Sequence, residues 1–233
     1  MSIRPYYERD GITIYHGDCR DVMPSLRTTA DLVVTDPPFS VPVKYEDAEG
    51  VHPRSWGDLV VMEPFFREVF SRVKSASSES AQVYFCCDAN TYPVFFKSAY
   101  SIWPQSQMLV WYKPTGRRGR GWMHSYELIL HPRCPQTEYA DGFRQDVIGI
   151  MPVRTLNRQH PAEKPADLWA HLASGMPKER FVLLDPFMGG GSALDWALKH
   201  GHGAIGIEIE ERYCEIAAKR LAQGVLPLAE AKA

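Results

Sequence analysis

Two short runs in this chain hold residue types that could do chemistry together. The first is Asp36-Pro37-Pro38-Phe39, which closes a β-rich stretch. Successive prolines fix φ and push the residue before them out of helical conformation, so the tetrapeptide is stiff and extended. The lone pair of an aromatic amine is delocalised into its ring, and chemistry at that nitrogen needs acceptors that hold its two hydrogens and restore a pyramidal centre. The Asp36 carboxylate and the Pro37 carbonyl can supply them. Phe39 offers a π face for stacking a base taken out of its duplex. On their own, the same four residues could also be a rigid turn after a core strand.

The second run, FVLLDPFMGGGSALDWALKHGHGAIGIEIE over 181–210, has the layout of a nucleotide-binding βαβ unit. Gly189, Gly190 and Gly191 let the backbone turn tightly and approach a ligand, and a helix starting near Ser192 aims its free amides at the same place. Glu208 follows Asp185 by 23 residues, where a carboxylate can take both hydroxyls of an adenosine ribose. A dinucleotide oxidoreductase is the rival reading. Its GxGxxG run, aligned on Gly189 and Gly191, needs glycine at 194, and the residue there is Leu194.

These runs must be positioned by regular elements, and short β-rich stretches alternate with helical periodicity along the chain. Strands are expected at 12–17, 32–36, 82–87, 107–113, 125–131, 181–185 and 203–209. Helices are expected near 19–27, 61–76, 88–100, 164–175, 192–200 and 211–223. The order predicts an α/β domain with a seven-stranded, mostly parallel sheet. Only the short PTGRRGRGWMH link joins 107–113 to 125–131, so that pair should be an antiparallel hairpin. Residues 40–58 show neither period and read as a long loop directly after the tetrapeptide. Residues 132–159 are irregular and carry Arg133, Arg144, Arg154 and Arg158, and the tail beyond Gly224 looks frayed.

Composition limits what such a chain can be. Its 233 residues are 45% hydrophobic and 12% aromatic, enough for one substantial core. No apolar run is long enough for a bilayer, and charged residues near the start argue against a signal peptide, so the expectation is a cytoplasmic protein without membrane contact. The cysteines at 19, 86, 87, 134 and 214 contain no CxxC pair, which suits reduced thiols and predicts no metal site. A net charge of −2 argues against indiscriminate coating of nucleic acid. It leaves room for a local basic surface, and Arg117, Arg118 and Arg120 fall within one glycine-rich loop, which by itself could also be a solvated loop.

With DPPF upstream of DPFMGGGS, the chain resembles the DNA amino-methyltransferases of the permuted class called β, in which the catalytic motif precedes the cofactor glycines. The resemblance covers nearly the whole chain. It implies a Rossmann-like methyltransferase fold in circularly permuted order, S-adenosylmethionine as cofactor and double-stranded DNA as partner. His16-Gly17-Asp18 is similar to the family segment whose acid contacts the cofactor adenine. His160-Pro161-Ala162-Glu163-Lys164-Pro165 resembles the HPTQKP box, which puts Lys164, with Asp185 and Phe187, around the cofactor's methionine end. Trp111-Tyr112-Lys113-Pro114 and Glu127 fit the family hairpin that borders the target-base pocket.

Two departures refine the expectation. Many adenine-specific members have tyrosine where this chain has Phe39, whereas cytosine N4 enzymes commonly have serine in place of Asp36. The acid therefore favours N6 of adenine, with cytosine N4 or a catalytically silent DNA-binding relative as alternatives. Only 132–159 stands where larger members insert a recognition domain, so two subunits are expected to share the duplex as a homodimer, with Arg117, Arg118 and Arg120 near DNA.

Overall fold

The computed structural model describes residues 3–37, 45–47, 50–52, 59–117, 121–153 and 163–223. Eleven strands occur among them: β1 (Tyr7–Arg9), β2 (Ile12–His16), β3 (Ala30–Thr35), β4 (Tyr45–Asp47), β5 (Gly50–His52), β6 (Ser77–Cys87), β7 (Gln105–Arg117), β8 (His124–Arg133), β9 (Val147–Gly149), β10 (Val182–Asp185) and β11 (Gly203–Glu208). The helices are α1 (Cys19–Val22), extended by a 3₁₀ turn at Met23–Ser25, α2 (Leu59–Ala76), α3 (Tyr92–Tyr100), α4 (Ala166–Ala173), α5 (Ser192–Lys199) and α6 (Glu211–Gln223).

Nine strands form one sheet in the order β1-β2-β11-β10-β3-β6-β8-β7-β9. The central run from β2 to β6 is parallel throughout, and β8 is antiparallel to both β6 and β7. This corrects the expected count of seven. The added edge strands are the polar β1, antiparallel to β2, and the three-residue β9, parallel to β7. Part of the 40–58 stretch, expected as loop, forms the β4–β5 antiparallel ribbon. Part of 132–159 supplies β9, because Val110 and Tyr112 of β7 offer free backbone groups on their outer side.

Side-chain alternation divides the core into two layers. Leu32 and Val34 of β3, Leu183 of β10 and Ala204 of β11 pack with Leu168 and Trp169 of α4, Leu194 of α5 and Ala217 and Leu221 of α6. Val33, Leu184, Ile205 and Ile207 face the other way, against Phe66, Phe70 and Val73 of α2 and Phe95 of α3. In α6 the buried residues are Tyr213, Cys214, Ala217 and Leu221, the spacing of one helical face. Each fully buried large side chain contributes about 1.5 to 3 kcal/mol relative to exposure, so both layers clamp the sheet between them. Among the described residues no helix is long and apolar enough to cross a membrane.

This winding fixes where a ligand can sit. The chain leaves β3 toward α2 on one face and leaves β10 toward α5 on the other, while β3 and β10 lie side by side. Their carboxyl ends therefore flank the crevice where open α/β sheets bind ligands.

Candidate active site

Acids end four adjacent parallel strands on that edge: Asp18 after β2, Glu208 on β11, Asp185 on β10 and Asp36 after β3. Asp185 ties two of these strands together. Its Oδ1 accepts from Thr35 Oγ1 at 2.7 Å and from the Phe187 amide at 3.2 Å, which starts the turn after β10. Burial raises its pKa to about 7, the Thr35 and Phe187 hydrogen bonds only partly opposing that rise.

The glycine turn is a backbone device. Gly189 and Gly191 have φ of 50° and 73°, conformations that side-chain-bearing residues rarely adopt, and Gly191 is the N-cap of α5. A Cβ on Gly191 would also meet Ala217 Cβ at 2.8 Å. Gly206, on the neighbouring strand, carries no motif signal, yet a Cβ there would run into Met188 and Leu194 and separate the turn from the sheet. Ser192 Oγ accepts from Trp169 Nε1 at 3.0 Å, joining the start of α5 to α4. Glu208 accepts the Gly189 amide through Oε2 at 3.0 Å and the Glu210 amide through Oε1 at 2.8 Å. Burial nevertheless leaves its pKa above the ordinary value.

Asp18 has a local structural duty. Its carboxylate caps α1 by accepting the Arg20 amide at 2.9 Å and holds the Arg20 guanidinium at 2.6 Å, and the Arg20 side-chain hydrogen bond keeps it below the usual carboxylate range. Arg20 in turn lies 5.0 Å over the Phe65 ring, which packs 6.3 Å from Phe187.

Asp36 is the centre of an unforeseen arrangement. Lys164, 5% exposed, donates to Asp36 Oδ2 at 2.5 Å and lies 3.3 Å from Glu127 Oε2. The other Glu127 oxygen is held by Lys113, whose ammonium also sits 4.6 Å from the centroid of the Trp111 ring. The four groups alternate in sign from β7 to β3. Burial opposes the Lys164 ammonium, but Asp36 and then Glu127 outweigh it and raise its pKa. Burial also pushes Asp36 upward against the pull of Lys164, whereas Glu127 is drawn down because Lys164 and Lys113 overcome its burial. Asp36 Oδ1 is buried and has no hydrogen-bond partner among the described residues.

One pocket gathers Asp36, Lys164, Asp185, Phe187, Met188, Gly189, Gly190 and Ser192 with Trp169 and the Glu163–Arg220 ion pair. That pair, 2.6 Å apart, was not indicated by the sequence, since its members are 57 residues distant and no spacing rule links them. Pro38, Phe39, Arg118, Arg120, His160 and most of 40–58 lie outside the described residues, and of Arg117 only the backbone, at the end of β7, is described.

The architecture is that of known DNA methyltransferases. The PvuII DNA methyltransferase, which is cytosine-N4-specific, has a TM-score of 0.75 at 15% identity, covering 93% of this chain and 88% of that one. M1.HpyAVI in complex with SAM gives 0.68 at 17%, covering 90% and 98%. Among curated proteins, the chain is 25% identical to the type II methyltransferase M.ScaI of Streptomyces caespitosus, over 94% of this chain and 84% of the relative. It is 29% identical to the putative methylase YubD of Escherichia coli (strain K12), over 88% of each. Residues 132–219 match the N6_N4_Mtase family, described as DNA methylase. The fold is thus that of the methyltransferases. In sequence, the family match and the relatives make the chain similar to DNA methyltransferases.

Proposed function

We propose that this enzyme methylates N6 of an adenine extruded from double-stranded DNA. Asp36 carries the reading: one carboxylate oxygen is neutralised by Lys164, and the other is a buried acceptor without a partner among the described residues. A buried acceptor of that kind calls for a donor, and an amine N–H is one. The acid at 36 also favours adenine over cytosine, because the cytosine enzymes that the chain resembles commonly have serine there.

The residues present suit S-adenosylmethionine. The pocket lies at the carboxyl ends of β3 and β10, carries the acids Asp36 and Asp185 beside the glycine turn, and takes apolar walls from Phe187, Met188 and Trp169. In this reading Gly189, Gly191 and Ser192 cradle the cofactor, Glu208 takes its ribose with the lone pairs that the two amides leave free, and Asp18 lies near its adenine. The cofactor supplies a methyl group on sulfur, released as the S–C bond breaks with its electron pair. Asp36 and the Pro37 carbonyl hold the amine, Pro38 stiffens the turn and Phe39 stacks on the base. Alignment of two bound reactants can supply about 7 to 11 kcal/mol of the acceleration.

Expression of the chain in a methylation-deficient host, followed by single-molecule sequencing of the host DNA, tests this directly. N6-methyladenine at a fixed motif is the expected result. N4-methylcytosine would reassign the base, and unmodified DNA would leave a binding protein.

A further inference from the structure

The alternating charges around Asp36 do more than neutralise a buried acid. The charge of Lys164 could be balanced by Asp36 alone, and a second carboxylate 3.3 Å from the same ammonium is an expensive group to place there without a purpose. Glu127 is nonetheless held there, fixed from behind by Lys113 on the paired strand β7. We propose that Lys164 is a two-position counter-ion, paired with Asp36 while that carboxylate is ionised and with Glu127 once Asp36 has taken the proton released by methyl transfer. Lys113 keeps Glu127 ionised throughout, and Glu127 and Lys113 are positioning residues that touch no reacting atom.

The inference rests on the amine-methylation reading, and its steps balance. The amine lone pair forms the N–C bond, and the S–C pair leaves on sulfur. One amine proton passes to Asp36 Oδ1 while the N–H pair stays on nitrogen. Asp36 is then neutral, and a buried ammonium would be left without an anion unless another stood within reach. Glu127 is that anion. The other ionisable groups facing Asp36 cannot replace it: Cys86 and Cys87 of β6 are thiols kept neutral by burial, and Asp185 of β10 is engaged by Thr35 and Phe187.

Two variants should move Asp36 in opposite directions. Glu127→Gln removes the waiting anion and makes protonation of Asp36 harder. The acidic limb of the single-turnover rate profile should then move to lower pH by about one unit. The maximal rate should fall about tenfold, less than the 10²–10⁴ that a lost proton acceptor costs. Lys113→Met leaves Glu127 uncompensated, draws Lys164 away from Asp36 and should move the limb to higher pH. Glu127→Asp keeps the charge and should leave the limb where the parent has it. Carbon-13 NMR of the Asp36 carboxyl in cofactor-free protein, assigned against Asp36→Asn, should report the same opposite displacements without any turnover. An inactive parent would defeat the methylation reading, while the NMR titrations would still judge the charge chain. Coincident Asp36 titrations in the parent, Glu127→Gln and Lys113→Met, or shifts of the same sign in both variants, would overturn the proposal.

Discussion

The Gly189 amide donates to Glu208 Oε2 at 3.0 Å, so the acid that ends β11 holds the glycine turn that follows β10. A residue read from sequence as a ribose ligand is therefore also a brace for the surface on which the cofactor would lie. Glu208→Ala should weaken S-adenosylmethionine binding through both losses, since hydrogen bonds to a charged group are worth about 1.5 to 3 kcal/mol each. Asp36→Ala should abolish transfer while cofactor affinity stays close to that of the parent. Calorimetry with the cofactor separates the two. Loss of binding in the Asp36 variant, with normal binding in the Glu208 variant, would invert the assignment.

How far the sequence disclosed this depended on the range of each interaction. Strand β3 and the turn from Asp185 to Ser192 were legible because their periodicity and glycines are local. Strand β1, with only Tyr-Glu-Arg, and β9, with only Val-Ile-Gly, carry no alternation, and each exists because a longer neighbour offers backbone groups to pair with. The same distinction applies in the site. The resemblance implied a place for Lys164 beside the cofactor's methionine end, and in the structure Lys164 lines one pocket with Gly189, Gly190 and Ser192. Its ion pairs with Asp36, 128 residues away, and Glu127 arise from tertiary packing of the segment before α4 against the ends of β3 and β8, which no local spacing encodes. Gly206 matters through its contact with Met188 and Leu194, which no spacing rule anticipates.

Gly191 allows a test of the turn that does not involve catalysis. At φ of 73° and with Ala217 Cβ 2.8 Å from where its own Cβ would be, Gly191→Ala combines backbone strain with a steric clash. Destabilisation of about 1 to 3 kcal/mol is expected in chemical denaturation. A variant as stable as the parent would mean that the turn and α6 are not packed as described.

His131 predicts how stability depends on pH. Its Nδ1 donates to the Val83 carbonyl and its Nε2 accepts from Tyr139 hydroxyl, each at 2.7 Å, while burial lowers its pKa to about 4. The unfolded chain binds this proton first. The contribution is therefore complete above about pH 6.5 and is lost as pH falls toward 4, with a slope of up to about 1.4 kcal/mol per pH unit. Urea titrations of the parent and His131→Asn between pH 7 and 5 should differ by that slope, and parallel curves would show that His131 titrates normally in the fold.

DNA contact and assembly can be examined together. Neutralising Arg117, Arg118 and Arg120 should weaken DNA binding and reduce its salt dependence, by about 0.9 in the log–log slope for each phosphate contact removed. An unaltered slope would assign the DNA surface elsewhere. Sedimentation at micromolar concentration should give the mass of two chains, and a single-chain mass with and without DNA would count against the shared duplex.

The final prediction concerns Phe39, where the resembling adenine enzymes more often have tyrosine. If the ring acts by stacking on the extruded base, its contribution comes from a π face that both residues possess, so Phe39→Tyr should keep most of the activity. Base stacking on an aromatic is worth about 1 to 3 kcal/mol by alanine substitution. Phe39→Ala should accordingly lose roughly ten- to a hundredfold in rate or in affinity for the extruded base, since about 1.4 kcal/mol is a factor of ten. Cofactor binding should survive, because the ring is assigned to the base and not to the glycine turn. Fluorescence of 2-aminopurine at the target position reports extrusion separately from transfer. An alanine variant that extrudes and methylates as well as the parent would remove stacking from the mechanism and leave Asp36 and the Pro37 carbonyl to hold the base alone.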